Sequence, residues 1–418
     1  MFPVKLLIIG AGGRGSGYAR YAQEFPDRAT VVGVAEPRDH YRQRLAELHR
    51  IPEKNVLADW HEAAKRRRFA DAVILCTQDA MHADPAVAFA RKGYHVLLEK
   101  PMAPNAKDCR RIVRAALAKD IIFAVCHVMR YTVYTQRLKQ LLDSGLIGEV
   151  VSMQHLETVG YWHQAHSFVR GNWRNEKESS PMLLAKSCHD LDWIRYLIGK
   201  PCRRVSSFGN LKHFNQASKP AAAGAATRCL DCACEPQCPY SAKKIYLGRV
   251  SQGHTYWPVD VLTPTVTMES VTEALRTGPY GRCVYECDND VVDHQVVNLL
   301  FEGGATAAFT MTAFNQAGHR KTRIFGTRGE LCGDGEKITH FDFLTDKTQV
   351  IDATKADATI LGGHGGGDFG LMHSFVSAVG TGDRSQILSG PAETLETHLM
   401  VFAAEEARHR NRVVEVRV

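Results

Sequence analysis

Three sets of residues in this chain have types and spacings that could do chemistry. The first is a glycine turn. Gly10, Gly12 and Gly15 form a G-x-G-x-x-G pattern after the apolar run Val4–Ile9 and before a helix-like segment, Ser16 to Glu24. In such a turn the first glycine permits the sharp bend. The second lets the backbone approach a pyrophosphate, and the third lets helix and sheet pack closely. Gly13 and Arg14 complete the turn, and the helix start offers free N–H groups and a positive dipole end to phosphates. A second apolar run, Thr30 to Ala35, ends in Glu36, 21 positions after Gly15. That is near the ~20 expected for the acid that binds the ribose hydroxyls. The pattern predicts a dinucleotide site. Glu36 favours NAD, since a carboxylate repels a 2′-phosphate, and Arg38 keeps NADP open.

The second set centres on Lys100, just past an apolar strand at His95–Leu98. Open α/β sheets bind ligands at the carboxyl ends of their strands. An ammonium there could orient a substrate hydroxyl and shuttle its proton. Farther on, residues 161–174 interleave aromatics with His, Arg and Asn. Aromatic faces cover C–H patches while polar groups read hydroxyls, as a sugar site needs. Trp162, His163, His166 and Arg174 are the substrate candidates from this stretch. His364 and Asp368, in a glycine-rich loop, are two more.

The third set is Cys229, Cys232, Cys234 and Cys238, four thiols within ten residues and followed by Pro239. In a reducing compartment metal is a better reading than disulfide. Structural zinc is expected, on Cys229, Cys232 and Cys238 with Cys234, His213 or Cys283 as the fourth ligand. The single residue between Cys232 and Cys234 is tight for both to ligate one ion. An iron–sulfur cluster is the rival, since the run is one residue short of a bacterial ferredoxin spacing. A cluster without metal stays open. The ion would staple an insertion with little apolar content.

The elements that must position these groups divide in two. Apolar strands alternate with helical patterns through residues 1–128, which predicts a doubly wound parallel sheet of Rossmann type. Residues 129–418 then carry longer alternating segments with few helices between them, which predicts an α+β domain with a large open, mostly antiparallel sheet. A helix from about Leu184 to Leu197 interrupts that series. Residues 212–285, with little periodicity, read as a Cys-rich insertion.

The chain has 418 residues, enough for two buried cores, and a net charge of +7 spread along its length. Lys65–Arg68 is a dense basic run at a helix end, where the dipole favours cations, so no nucleic-acid partner is expected. No apolar run approaches the ~20 residues of a membrane span. The start enters a strand with no leader-like pattern, so a cytoplasmic protein is expected.

Several of these stretches together resemble the Gfo/Idh/MocA oxidoreductase family. They are the glycine turn and its acid, residues 77–82 from Thr77 to His82, Glu99-Lys100-Pro101, Arg130-Tyr131 and residues 145–148. The resemblance implies a Rossmann domain whose NAD(P) site includes Thr77, His82, Glu99 and Lys100, and adds Arg130 to the substrate candidates. It makes Lys100 catalytic and places His189 on the family's proton-accepting histidine. Ala185 stands where the family often has Asp, and Lys186 could take over part of that role. Asp192, one helical turn after His189, could orient the imidazole. The implied activity is NAD-dependent oxidation of a sugar, sugar derivative or cyclitol by a homodimer or homotetramer. Glycoside cleavage through transient oxidation would use the same site. A non-catalytic NAD-responsive regulator is the third reading.

Overall fold

A computed structural model describes residues 2–353 and 363–417, with the backbone alone for 363 and 364. The apolar runs of the N-terminal part become β1 (Val4–Ile9), β2 (Ala29–Ala35), β3 (Val56–Leu57), β4 (Ala72–Leu75), β5 (His95–Leu98) and β6 (Phe123–Val125). They pair in the order β3-β2-β1-β4-β5-β6, all parallel. Helices cover both faces, which is why all four residues of β4 are buried and apolar. The order reverses between β1 and β4, and a crevice opens there at the carboxyl ends of the strands.

The glycine turn sits at that point. Gly10 has φ +87°, and a Cβ on it would lie 2.5 Å from the Cys76 carbonyl oxygen. A Cβ on Gly15 would lie 1.9 Å from the Gly10 carbonyl oxygen, so only glycine lets the helix Gly13–Glu24 start this close to the sheet.

The second sheet has nine strands: β7 (Val150–Thr158), β8 (Cys202–Asn210), β9 (His294–Phe301), β10 (Thr306–Thr312), β11 (Lys321–Gly326), β12 (Gly329–Gly333), β13 (Lys337–Asp342), β14 (Lys347–Asp352) and β15 (Val414–Glu415). Their order is β14-β13-β12-β11-β7-β10-β9-β8-β15. The sheet is mixed: β7 and β10 run parallel and the other neighbours antiparallel. A parallel pair needs a long crossover, and the chain between β7 and β10 carries helices, β8, the insertion and β9. Val297, Leu299, Phe309 and Met311 point into the core, while Val296 and Phe208 stand on the exposed face.

Three expectations need correction. The helix at Leu184–Leu197 is broken into Met182–Ala185 and Cys188–Ile198, with Lys186 and Ser187 between them. The glycine-rich loop is a 3-10 turn at Gly363–Gly366 followed at once by the helix Gly367–Thr381, so Asp368 lies in a helical first turn. The insertion has its own core, with Phe214, Tyr240, Tyr246, Val271 and Leu275 buried together. Its backbone combines three-residue 3-10 turns with a π-helical turn at Lys243–Leu247 and one longer helix, Met268–Thr277, which buries Val271 and Leu275.

The chain also returns to its first core. Leu371, Met372 and Phe375 pack with Leu6, Ile8 and Tyr18. Among the described residues, no helix is long and apolar enough to cross a membrane.

Candidate active site

The carboxyl ends of the parallel strands deliver the candidate groups to one edge. Glu36, past β2, is buried, and its carboxylate accepts from the Ala11 N–H at 2.8 Å. Arg38 donates to the same carboxylate from its backbone N–H at 3.0 Å and its Nε at 2.7 Å. Burial works against the Glu36 charge, but Arg38 and the Ala11 N–H outweigh it and hold the carboxyl below its usual range. Thr77, past β4, has a buried Oγ1 with no hydrogen-bond partner among the described residues, and its backbone N lies beside the Gly10 turn. A Cβ on Gly13 would meet nothing within 4 Å. A glycine turn at a helix start, a carboxylate held charged at the end of β2 and an orphaned hydroxyl beside them fit a dinucleotide. The half-exposed Arg38 guanidinium can swing clear of Glu36.

Other predicted cofactor residues serve as scaffold. The His82 ring bridges the carbonyls of Pro101 (2.8 Å) and Thr77 (3.0 Å), fixing the Glu-Lys-Pro turn against β4. Arg14 pairs with Glu99 and, at 2.7 Å, with Asp368. Asp368 thus meets the cofactor-side glycine turn, where a substrate role was expected. Glu99 also accepts from the Lys100 N–H at 2.6 Å and Tyr18 Oη at 3.0 Å. Burial opposes its charge, and Arg14 with Lys100 keeps it ionised.

Lys100 reaches the second domain. Its Nζ donates to the Ala185 carbonyl at 2.6 Å, at the helix break. A last-turn carbonyl has no intrahelical N–H to accept from, so the break makes the acceptor. His189 lies in the first turn of the next helix and is buried, its ring edge-on to His127 at 5.7 Å. Lys186 pairs with Glu157 at 3.0 Å; Arg320 bridges Glu157 (2.8 Å) to Asp190 (2.6 Å).

Asp192 does not take the expected part. Its carboxylate is gripped by Arg130 through two bonds of 2.7 Å and accepts from Thr397 Oγ1 at 3.0 Å, with His127 Nε2 at 3.6 Å. Arg130 also donates to the Leu388 carbonyl. Both partners are buried, which makes them a structural ion pair beneath the site. The expectation that Arg130 reads substrate is corrected with it, since its donors are spent on protein acceptors. The helix turns Asp192 toward Arg130 and Thr397 because residues 189 and 192, though one turn apart, are offset around the axis.

The aromatic stretch splits. His163 is stacked by Trp162 (5.7 Å) and met edge-on by Trp257 (5.1 Å). Burial, then the charges of Lys186, His166 and Lys100, push its pKa well down, so a neutral imidazole sits beside both lysines. His166 hydrogen-bonds Tyr246 Oη at 2.8 Å and stacks on Tyr280. It is a packed core histidine, which corrects its substrate assignment. Arg174 is clamped by Asp288 (2.9 Å) and Glu178 (3.0 Å), far from free to read a hydroxyl, and is corrected likewise. The His364 side chain lies outside the described residues.

Sequence reasoning passed over His127, Glu157, Arg320 and Trp257. His127 alone carried a signal, its place just after β6. The others come from β7 (Glu157), the residue before β11 (Arg320) and the insertion (Trp257), and no spacing links them.

Among the predicted metal ligands, Cys229, Cys232, Cys234, Cys238 and Cys283 line one cavity. His213 does not line it; its imidazole is packed against Phe214, Tyr240 and Phe314 and meets Tyr285 Oη at 3.2 Å, which corrects its place as a candidate ligand.

Comparison with known proteins agrees with this geometry. Residues 4–127 match a family model described as an oxidoreductase family, NAD-binding Rossmann fold; residues 139–416 match the corresponding C-terminal alpha/beta domain. Over 207 residues the chain is 28% identical to 2,7-anhydro-N-acetylneuraminate hydratase of Escherichia coli, covering 49% of this chain and 53% of that protein. It is 28% identical to inositol 2-dehydrogenase of Klebsiella pneumoniae over 203 residues, 48% of this chain and 56% of that one. The chain thus spans about half the length of these curated relatives. A solved levoglucosan dehydrogenase, in complex with NADH and levoglucosan, superposes with a TM-score of 0.71 at 18% identity, covering 99% of this chain and 100% of that one.

Proposed function

The chain belongs to the Gfo/Idh/MocA oxidoreductase family, and from that premise we propose that it is an NAD-dependent dehydrogenase oxidising a secondary hydroxyl of a sugar, sugar derivative or cyclitol. The observation that carries this reading is the Lys100 Nζ bond to the Ala185 carbonyl. It supports a site in which the cofactor edge of the first domain meets the His189 helix of the second. The names of the inositol and levoglucosan dehydrogenases support the substrate class.

In this reading Gly12, Gly13 and the helix start hold the pyrophosphate, and Glu36 holds the ribose diol after Arg38 moves away. Bound NAD supplies the hydride acceptor. Lys100 orients the substrate oxygen and polarises it. His189 takes the hydroxyl proton. Lys186, pinned by Glu157, contributes a second cation where the family's Asp is replaced by Ala185. Neutral His163, with Trp162 and Trp257, walls the substrate side. The exposed face bearing Phe208 and Val296 is where two or four copies pack.

A second reading is favoured by the hydratase relative: transient oxidation that ends with no net redox, as in NAD-dependent cleavage of a glycoside. One experiment separates the two. The full chain is given NAD and a panel of free sugars, inositols, glycosides and anhydro sugars, with NADH and products followed together. Sustained NADH with a ketone or lactone supports the dehydrogenase. Product without NADH supports the second reading. Tight NAD binding with no turnover on the whole panel would overturn both in favour of a regulatory protein.

A further inference from the structure

Five cysteines from two distant stretches converge on one small cavity in the insertion. Cys229 opens the 3-10 turn Cys229–Asp231 and Cys232 follows it, while Cys234 and Cys238 flank the next turn, Glu235–Gln237. Cys283 arrives from the far end of the insertion. It is held there by an antiparallel bridge between Arg228 and Arg282 and by its N–H bond to the Thr227 carbonyl at 2.8 Å. Among the described residues none of the cysteines forms a disulfide.

Two observations say what the cavity is for. The first is the sulfur spacing. Cys232 Sγ and Cys234 Sγ are 3.8 Å apart. Two thiolates on one tetrahedral zinc, with Zn–S near 2.3 Å, stand about 3.8 Å apart. The one-residue gap that looked too tight in sequence is therefore spanned at ligand distance. The other sulfurs are more open, since the described residues hold no set of three cysteine sulfurs within 4.8 Å. An ion would draw them inward.

The second observation is Arg170. It is 1% exposed, lines the same cavity, and among the described residues has no carboxylate within ion-pair distance. Its Nε donates to the Arg282 carbonyl (2.7 Å), its Nη2 to the Tyr240 carbonyl (2.8 Å) and to Cys229 Sγ (3.4 Å), and its Nη1 has no hydrogen-bond partner among the described residues. A buried guanidinium stays charged and needs an anion. The cavity wall carries the cysteine sulfurs and one carboxylate, Glu235, which is engaged by Lys243 at 3.3 Å and by the Ser241 hydroxyl, so the sulfurs are the groups left to supply it. Four thiolates around a divalent ion carry a net charge of 2−, and Arg170 would offset part of it.

We propose that the insertion binds one zinc ion through four of these five sulfurs, Cys232 and Cys234 among them, with Arg170 as the buried counter-charge. Binding displaces the four thiol protons to solvent and involves no redox step. With Cys283 among the four, the ion ties the run at residues 229–238 to the far end of the insertion. That fixes the segment carrying Trp257 against His163, so the site is structural and acts on the substrate wall at a distance.

The test uses the full chain purified from zinc-replete medium. Elemental analysis after gel filtration is expected to give about one zinc per chain, and protein refolded with Co²⁺ is expected to show the intense visible bands of a tetrahedral thiolate site. Cys234→Ser should lower the bound zinc at least several-fold. Cys202→Ser, in β8 and away from the cavity, should leave it unchanged. Arg170→Met should speed zinc transfer to a chelator about tenfold. If the cysteine variants fail to fold, the wild-type zinc content and cobalt spectrum still decide. Wild-type protein without stoichiometric metal, with the five thiols reacting freely under native conditions, would overturn the proposal. Iron with acid-labile sulfide in place of zinc would overturn it equally.

Discussion

The Lys100 ammonium donates to the Ala185 carbonyl across the two domains at 2.6 Å. The acceptor exists because the helix breaks at Lys186 and Ser187. One bond thus places the end of β5 against the helix that begins with Cys188 and His189. Lys100→Ala and His189→Ala are each expected to lower kcat by about 10²–10⁴-fold, the usual range for a positioned proton-transfer group. NAD binding by His189→Ala, read by fluorescence titration, should change little. Near-wild-type turnover on the true substrate by either variant would remove that residue from the proposed chemistry.

The glycine turn separates packing from binding. Gly15→Ala puts a Cβ 1.9 Å from the Gly10 carbonyl oxygen, where backbone must move. It is expected to cost about 1–3 kcal/mol of stability, as overpacking does. Gly13→Ala meets nothing within 4 Å and should melt like the parent. Thermal melts of the two variants without cofactor compare them directly.

Asp192 offers a test of structure against catalysis. Asp192→Asn leaves Arg130 buried without its counter-charge, which should cost about 3–5 kcal/mol in denaturant unfolding. A catalytic acid would instead give a stable, inactive protein. A variant with unchanged stability would contradict the ion-pair assignment.

Burial, the largest cause for each, pushes the pKa of His127 and His166 down to about 3. In the unfolded chain both protonate near ~6.5. Between these values the unfolded state binds more protons, so stability is full above about pH 6.5 and falls as pH drops. At pH 5 each histidine should remove about 2 kcal/mol. The melting temperature should therefore decline from pH 7 to pH 5, well before the carboxylates titrate. His166→Phe, which keeps the ring packing, should flatten that decline.

Trp257 meets both Trp162 and His163 and is 42% exposed. If it faces a sugar ring, Trp257→Ala should raise KM about 3–10-fold, the worth of one aromatic contact, with kcat held within about twofold. An unchanged KM would place the substrate elsewhere.

The sequence by itself determined the first domain and its cofactor edge. Strands buried on both faces read as apolar runs, and a turn that only glycine can make leaves a glycine at each tight place, so Gly10, Gly15 and Glu36 are legible from local spacing. The cysteine run was legible for the same reason. Only the tertiary structure decided where long-range partners fall. Asp192 sits one turn from His189 yet is turned to Arg130. His166 and Arg174 share a stretch with His163 but are engaged by Tyr246 of the insertion and by Asp288 just beyond it. Cys283 reaches Cys229 across more than fifty residues, and the Ala185 carbonyl is available because a helix breaks where its pattern continues. Periodicity reports which face of an element is apolar; it says nothing of which distant side chain will meet that face, because that pairing is set by packing the whole chain at once.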